Sequence, residues 1–214
     1  MPAMRIFALS CSALPILFAL TAVVPHAVMA ADSVTVEKKV PASKDTGGDP
    51  GNLSPKQQLD NLFTALKRQR DPDQASLIAD QIRMEWSDSG SATINLLMQW
   101  ANKAVQDKRN AAAMDFLDQV ISLKPDYAEG WNQRATLNYA IGDYRKSMED
   151  INQVLRIEPR HFGALAGMAA ILSESGNDQL TLQAWQRFLE IYPANRAAQE
   201  QVDTLSEKIA GSRT

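Results

Sequence analysis

Cysteine is almost missing from this 214-residue chain: Cys11 is the only one, and histidine occurs twice, at His26 and His161. That supply excludes a disulfide framework and leaves no set of soft or imidazole ligands for zinc. A Ser-His-Asp arrangement would have to use His161, and no Gly-x-Ser-x-Gly elbow accompanies it. Glycine is sparse too, and its one doublet, Gly47-Gly48, lacks the following Lys-Ser and the strand of a phosphate-binding loop. Nor is there a basic excess. The chain carries 22 basic and 25 acidic side chains, whereas nucleic acid calls for a concentrated positive surface. No metal, cofactor, nucleic acid or catalytic residue is therefore expected.

The first thirty residues carry an address. Arg5 precedes an apolar run from Ile6 to Val24, and Val28-Met29-Ala30 suits cleavage after Ala30, as in a secretory signal peptide. An uncleaved membrane anchor is the rival, and Pro15, Pro25 and the Val-Met-Ala ending favour cleavage. A lipoprotein reading of Cys11 fails, because Ala8-Leu9-Ser10 lacks leucine at minus three and most of the apolar run lies after the cysteine. Cleavage removes Cys11, His26 and one charge, leaving 21 basic against 25 acidic side chains and a net charge of −4. The expected location is the periplasm or the medium. Residues 31–53, with Pro41, Gly47, Gly48, Pro50 and Gly51 and little apolar material, read as a tether.

Helical signals begin at Ser54. Ser54-Pro55-Lys56-Gln57 offers an N-cap hydroxyl, a proline at the first helical position and a glutamine able to reach back. Leu59, Leu62, Phe63 and Leu66 follow at helical spacing. Asp71-Pro72 starts a second stripe of Ala75, Ile78, Ala79, Ile82 and Trp86. Residues 54–92 thus form a helical hairpin. Beyond it Pro125, Pro159 and Pro193 stand 34 residues apart, as do Gly142 and Gly176, and Trp131 and Leu165. This period divides 93–195 into three units, 94–127, 128–161 and 162–195, each of two helices. Asn110, Asp143 and Asn177 are read as N-caps of the second helices, with Asp126 and Glu129 as a capping box. Residues 196–210 form a last helix, apolar at Ala198, Val202, Leu205 and Ile209 and wet elsewhere, as a terminal cap requires.

These units resemble the tetratricopeptide repeat. In the middle one Trp131 lies at the repeat's fourth position, Ala135 at its small eighth, Gly142-Asp143-Tyr144 at its turn and Pro159 at its thirty-second. Leu97, Trp100, Ala101, Ala113, Leu117, Val120 and Pro125 match in the first unit, and Leu165, Met168, Ala169, Gly176, Trp185, Phe188 and Pro193 in the third. Residues 57–90 resemble a diverged unit without the closing proline. The segment Pro159 to Leu165, with the export signal, resembles small secreted repeat proteins of Gram-negative bacteria. The resemblance implies an all-α fold, a right-handed superhelix of stacked pairs whose first helices line a concave groove. It places Asn95, Met98, Gln99 and Asn102 in that groove from the first unit. Glu129, Asn132, Thr136 and Tyr139 come from the second, and Ala166, Ala170, Ser173 and Glu174 from the third.

Amides suit hydrogen bonding to an extended peptide, and small residues admit a close-packed helix. The resemblance also tests one known use of the repeat, the clamp on a C-terminal carboxylate. Asn102 matches one clamp position, but Met98, Gly163 and Gly167 stand where its cations belong, so that clamp is missing. Arg134 replaces the usual leucine. Either it lies along the apolar surface with its head in water, or it pairs with Asp115, Asp118 or Asp150. Trp86, Trp100, Trp131 and Trp185 are read as packing residues, and His161 as a cap or packing residue. The expected role is non-catalytic: a periplasmic adaptor or assembly factor holding a protein or peptide. A homo-oligomeric envelope scaffold is the alternative. An envelope hydrolase would need constellations the sequence lacks.

Overall fold

The computed structural model describes residues 53–211, so the signal-peptide expectation and all but the last residue of the 31–53 tether lie outside the described residues. Among the described residues nine helices follow one another without a strand: α1 Pro55–Arg68, α2 Pro72–Ser87, α3 Ala92–Gln106, α4 Asn110–Leu123, α5 Ala128–Ala140, α6 Tyr144–Ile157, α7 Phe162–Glu174, α8 Asp178–Ile191 and α9 Arg196–Gly211. From α3 onward they pair and stack, α3 with α4, α5 with α6 and α7 with α8, and α9 covers α8. This is an all-α helical-repeat solenoid.

Local chemistry sets most boundaries. The Ser54 hydroxyl accepts the Gln57 amide hydrogen while the Gln57 side chain takes the Ser54 N–H, a reciprocal cap on α1. Asp71, Asp143 and Asn177 cap α2, α6 and α8 through their side-chain oxygens. The prolines act as read: the C-caps of α4, α6 and α8 are Lys124, Glu158 and Tyr192, each the residue before one. Two caps differ from expectation. Lys108 adopts φ 57° and the Arg109 N–H reaches the Ala104 carbonyl, so the backbone turns early; Arg109 becomes the N-cap of α4 and Asn110 its first helical residue. At α5 the N-cap is Tyr127, not Asp126. Its ring is buried and its hydroxyl donates to the Ser87 carbonyl 2.9 Å away, which draws the chain in one residue later than a cap at Asp126. Trp100 also departs from the packing expectation, being 48% exposed.

The α1–α2 hairpin does not extend the stack ahead of α3. It folds back, so that Phe63, Leu66, Ala75, Ala79 and Ile82 share one core with Phe162, Leu165, Phe188, Tyr192 and Ala198. Aromatic and cationic groups fasten it. The Trp86 indole stacks on the His161 ring with centroids 4.0 Å apart and planes 11° from parallel, and lies 4.9 Å from Phe162. Arg160 sets its guanidinium 4.1 Å from the Phe63 ring centre and donates to Asp60 at 2.7 Å. Two further cores, around Leu97, Leu117 and Val120 and around Ala135, Ile151 and Val154, hold the repeats themselves.

Candidate partner-binding groove

Nine of the twelve predicted groove residues line two clefts, and Glu129, Ser173 and Glu174 line neither. The first, about 310 Å³, is lined by Asn95, Met98, Gln99 and Asn102 of α3, by Tyr127 and Gln133, and by the end of the hairpin at Ser87 and Asp88. The second, about 250 Å³, is lined by Asn132, Thr136 and Tyr139 of α5 and by Gly163, Ala166, Gly167 and Ala170 of α7, with Ser147 and Ile151 of α6 behind them. Ser173 and Glu174, at the C-terminal end of α7, are exposed and line neither cleft.

Several of the predicted residues are already engaged. Asn95 is spent on the turn before α3: its carbonyl oxygen accepts the Ser89 N–H and hydroxyl, and its amide donates to Asp88 at 2.9 Å. Hydrogen bonds from Asn95 and the Gly90 backbone hold the Asp88 carboxyl below its ordinary range. Met98 is a correction. It is 5% exposed and belongs to the core around Leu97 and Leu117, so only its edge reaches the cleft floor. Glu129 takes hydrogen bonds from Asn132 and Gln133 and lies 3.3 Å from His161 Nε2. Burial, and the nearby Glu129 and Asp88 carboxylates, push the Tyr127 hydroxyl far above its ordinary value, so it stays a donor. What remains for a partner is Gln99 and Asn102 in the first cleft; in the second, Tyr139 faces small α7 residues beside Asn132, whose amide is held by Glu129, and Thr136, whose hydroxyl donates to the Asn132 main-chain carbonyl.

His161 is both a cap and a packing residue. Its Nδ1 accepts the Ala164 N–H at 3.1 Å, capping α7, so in the neutral ring the hydrogen sits on Nε2 and points to Glu129. Arg134 follows the paired reading: Nε and Nη2 reach Asp150 at 3.0 and 2.6 Å, and Nη1 reaches Asp118 at 2.7 Å. Asp115 is not its partner. The guanidinium is held charged chiefly by its hydrogen bonds to Asp150, against the opposing cost of burial. Its carbon also lies 5.0 Å from the Trp131 ring centre.

The contribution of α6 was missed from sequence, because only first helices were taken to line the groove. Ser147 and Ile151 lie one turn apart on the buried face of α6, and Ser147 donates to the Ala135 carbonyl. The small residues at 163, 166, 167 and 170, one stripe at helical spacing, were the signal that α7 leaves room for them. Among the described residues no cluster of histidine, cysteine and acidic side chains suits a metal ion, and no helix is long and apolar enough to cross a membrane.

Stacked helical pairs with a cleft lined by their first helices define a repeat scaffold, and sequence comparison gives its family. The chain is 64% identical over all 214 residues, the full length of both proteins, to a TPR repeat-containing protein of Rhizobium etli. It belongs to the tetratricopeptide-repeat family. A small glutamine-rich tetratricopeptide repeat-containing protein 2 of Mycosarcoma maydis is 26% identical over 126 residues, 59% of this chain and 36% of that one. Among solved structures, the first TPR of Spaghetti (RPAP3) bound to the HSP90 peptide SRMEEVD superposes with a TM-score of 0.52 at 18% identity, covering 56% of this chain and 95% of that one. The Sgt2 TPR domain from Aspergillus fumigatus gives 0.52 at 19% identity over 57% of this chain and 83% of that one. No family model matches the chain.

Proposed function

We propose that this protein is a non-catalytic adaptor or assembly factor of the bacterial periplasm that holds a protein or peptide in the cleft between α5 and α7. Tetratricopeptide-repeat proteins generally mediate contacts between proteins. The observation that carries the reading here is the pairing of unlike walls in that cleft. One wall offers Asn132, Thr136 and Tyr139, and the other offers Gly163, Ala166, Gly167 and Ala170. Small side chains let a partner backbone approach closely, and the polar wall can hydrogen-bond that backbone. Stacking fixes both walls before binding, so little of the ordering cost falls on this chain. The carboxylate clamp that the family resemblance would imply is not built here, since Met98, Gly163 and Gly167 stand where its cations belong.

The periplasmic assignment rests on the sequence of residues 1–30, and mass spectrometry of the exported chain, with Ala31 as its first residue, would bear it out. The cleft is tested by affinity capture from a periplasmic extract, comparing the wild type with Ala170→Arg and with Asn132→Ala/Tyr139→Ala, each checked for fold by circular dichroism. A protein retained by the wild type and lost by both variants supports the reading. Equal capture by all three moves the binding surface off this cleft and overturns it.

A further inference from the structure

The two clefts differ in charge. Among the described residues Asp88 is the one charged side chain lining the first, none lines the second, and neither cleft is lined by a lysine or arginine. Both hydrogen bonds to the Asp88 carboxylate fall on Oδ1, from the Gly90 N–H and from Asn95 Nδ2, each at 2.9 Å. They hold the group ionised at neutral pH and leave Oδ2 for an incoming donor. Asp88 is also the C-cap of α2, and the last turn of that helix holds no basic side chain. The negative end of the helix dipole therefore adds to the carboxylate instead of being offset. Gln99 and Asn102, both exposed, contribute neutral carbonyl acceptors. Glu129 links this cleft to the next. Its carboxylate accepts from Gln133, which lines the first, at 3.4 Å and from Asn132, which lines the second, at 3.1 Å.

We propose, building on the peptide-holding role above, that the first cleft takes a lysine or arginine side chain of the partner, so that the segment held by this protein is basic. A cation entering there meets Asp88 Oδ2, the carbonyl oxygens of Gln99 and Asn102 and the C-terminal end of α2. An anionic side chain would face the same carboxylate and the same helix end with no cation to answer it. An apolar one would strip water from the carboxylate and put nothing in its place. A segment running on toward the second cleft passes Glu129, a further carboxylate whose side chain is 18% exposed. The second cleft, uncharged and walled by small residues, adds no preference of its own for charge. Selectivity built this way acts on encounter as well as on residence, since an anionic path draws a basic segment in and turns an acidic one away.

Fluorescence anisotropy with the purified protein tests this, using short labelled peptides in which alanine alternates with lysine, glutamine or glutamate. The lysine peptide should bind about tenfold more tightly than the glutamine peptide and the glutamate peptide least tightly, with the preference shrinking as salt is raised. Asp88→Asn keeps an oxygen for the Gly90 and Asn95 donors, and Asn102→Lys puts a cation on an exposed position of the cleft. Each should remove the preference for lysine with circular dichroism unchanged. Asp203→Asn, an equal loss of charge on the exposed face of α9, should keep it. A lysine peptide bound no better than the glutamine peptide overturns the proposal. So does a preference that survives both cleft variants or falls equally with Asp203→Asn. Ala170→Arg separates this from the holding role. A glutamine peptide that binds, is lost on Ala170→Arg and gains nothing from lysine would leave a peptide site in the second cleft and refute its basic selectivity. A lysine preference lost on Asp88→Asn, with all binding indifferent to Ala170→Arg, would keep the basic site and refute holding in the second cleft.

Discussion

The α1–α2 hairpin and the three repeat pairs are built from the same helical period, yet they are placed by different chemistry. The repeat pairs meet through small and aliphatic side chains such as Ala101, Ala135 and Ala169, and stack in chain order. The hairpin meets the rest through Trp86, Phe63, Arg83 and Asp60 against His161, Phe162 and Arg160, and lands at α7, five helices further along the chain than α2. Uniform small contacts produce a stack; a cluster of large aromatics fixes one location. Periodicity alone specifies that a helical pair exists, not where it docks.

The sharpest way to break the comparison is at Phe162, which touches Trp86, Phe188 and Tyr192 from the centre of the aromatic cluster. Phe162→Ala is expected to cost about 3–5 kcal/mol in urea unfolding. Hydrogen exchange should show α1 and α2 losing protection before α5 and α6, and uniform loss in all helices would deny the hairpin its separate mode of attachment. Next comes Arg134, whose two carboxylates differ in burial: the Asp150 side chain is 4% exposed and Asp118 55%. Asp150→Asn should destabilise by about 2 kcal/mol, a buried pair discounted for the partial exposure of the arginine, whereas Asp118→Asn should cost under about 1 kcal/mol. Equal losses would show that burial does not set the strength of this pair.

Smaller still is the turn within each repeat. Lys108, Gly142 and Gly176 occupy equivalent places, with φ of 57°, 83° and 68°. The lysine is the strained member, so Lys108→Gly should raise stability by up to about 1 kcal/mol, and Gly176→Ala, with open space around the added methyl, should lower it by a similar amount. Thermal melts of the two variants moving in the same direction would contradict this. The least effect is expected at Asp88, whose carboxyl is held below its ordinary value of 3.8. A depressed carboxyl contributes stability that is complete above the unfolded value and lost as pH falls through the folded one. The stability gap between wild type and Asp88→Asn should therefore exist at neutral pH and close below 3.8. A gap unchanged at low pH would show that the carboxylate charge plays no part.

Much of this architecture was readable in advance because its causes are local. Prolines stop helices, Ser54, Asp71, Asp143 and Asn177 cap them, and the 34-residue recurrence of Gly142 and Pro159 repeats one turn and one stop. What escaped depends on distant neighbours. Asp126 looked like a cap until Tyr127 was drawn toward Ser87, 40 residues away. Met98 occupies a groove position and is nevertheless part of the core around Leu97 and Leu117, and Asn95 looks free until its turn is folded. The docking of the hairpin depends on contacts such as Arg160 with Asp60, 100 residues apart, and no local pattern records that pairing.

One consequence of His161 concerns replacement. Asparagine or aspartate could cap α7 there but would leave Trp86 without a ring to stack on. Phenylalanine or tyrosine would stack but leave the Ala164 amide unanswered, and glutamine has neither the flat ring nor the reach toward Glu129. Of the twenty side chains only imidazole satisfies a helix start, an indole face and a carboxylate at once. In a saturation library selected for an attached hairpin, position 161 should return a single letter.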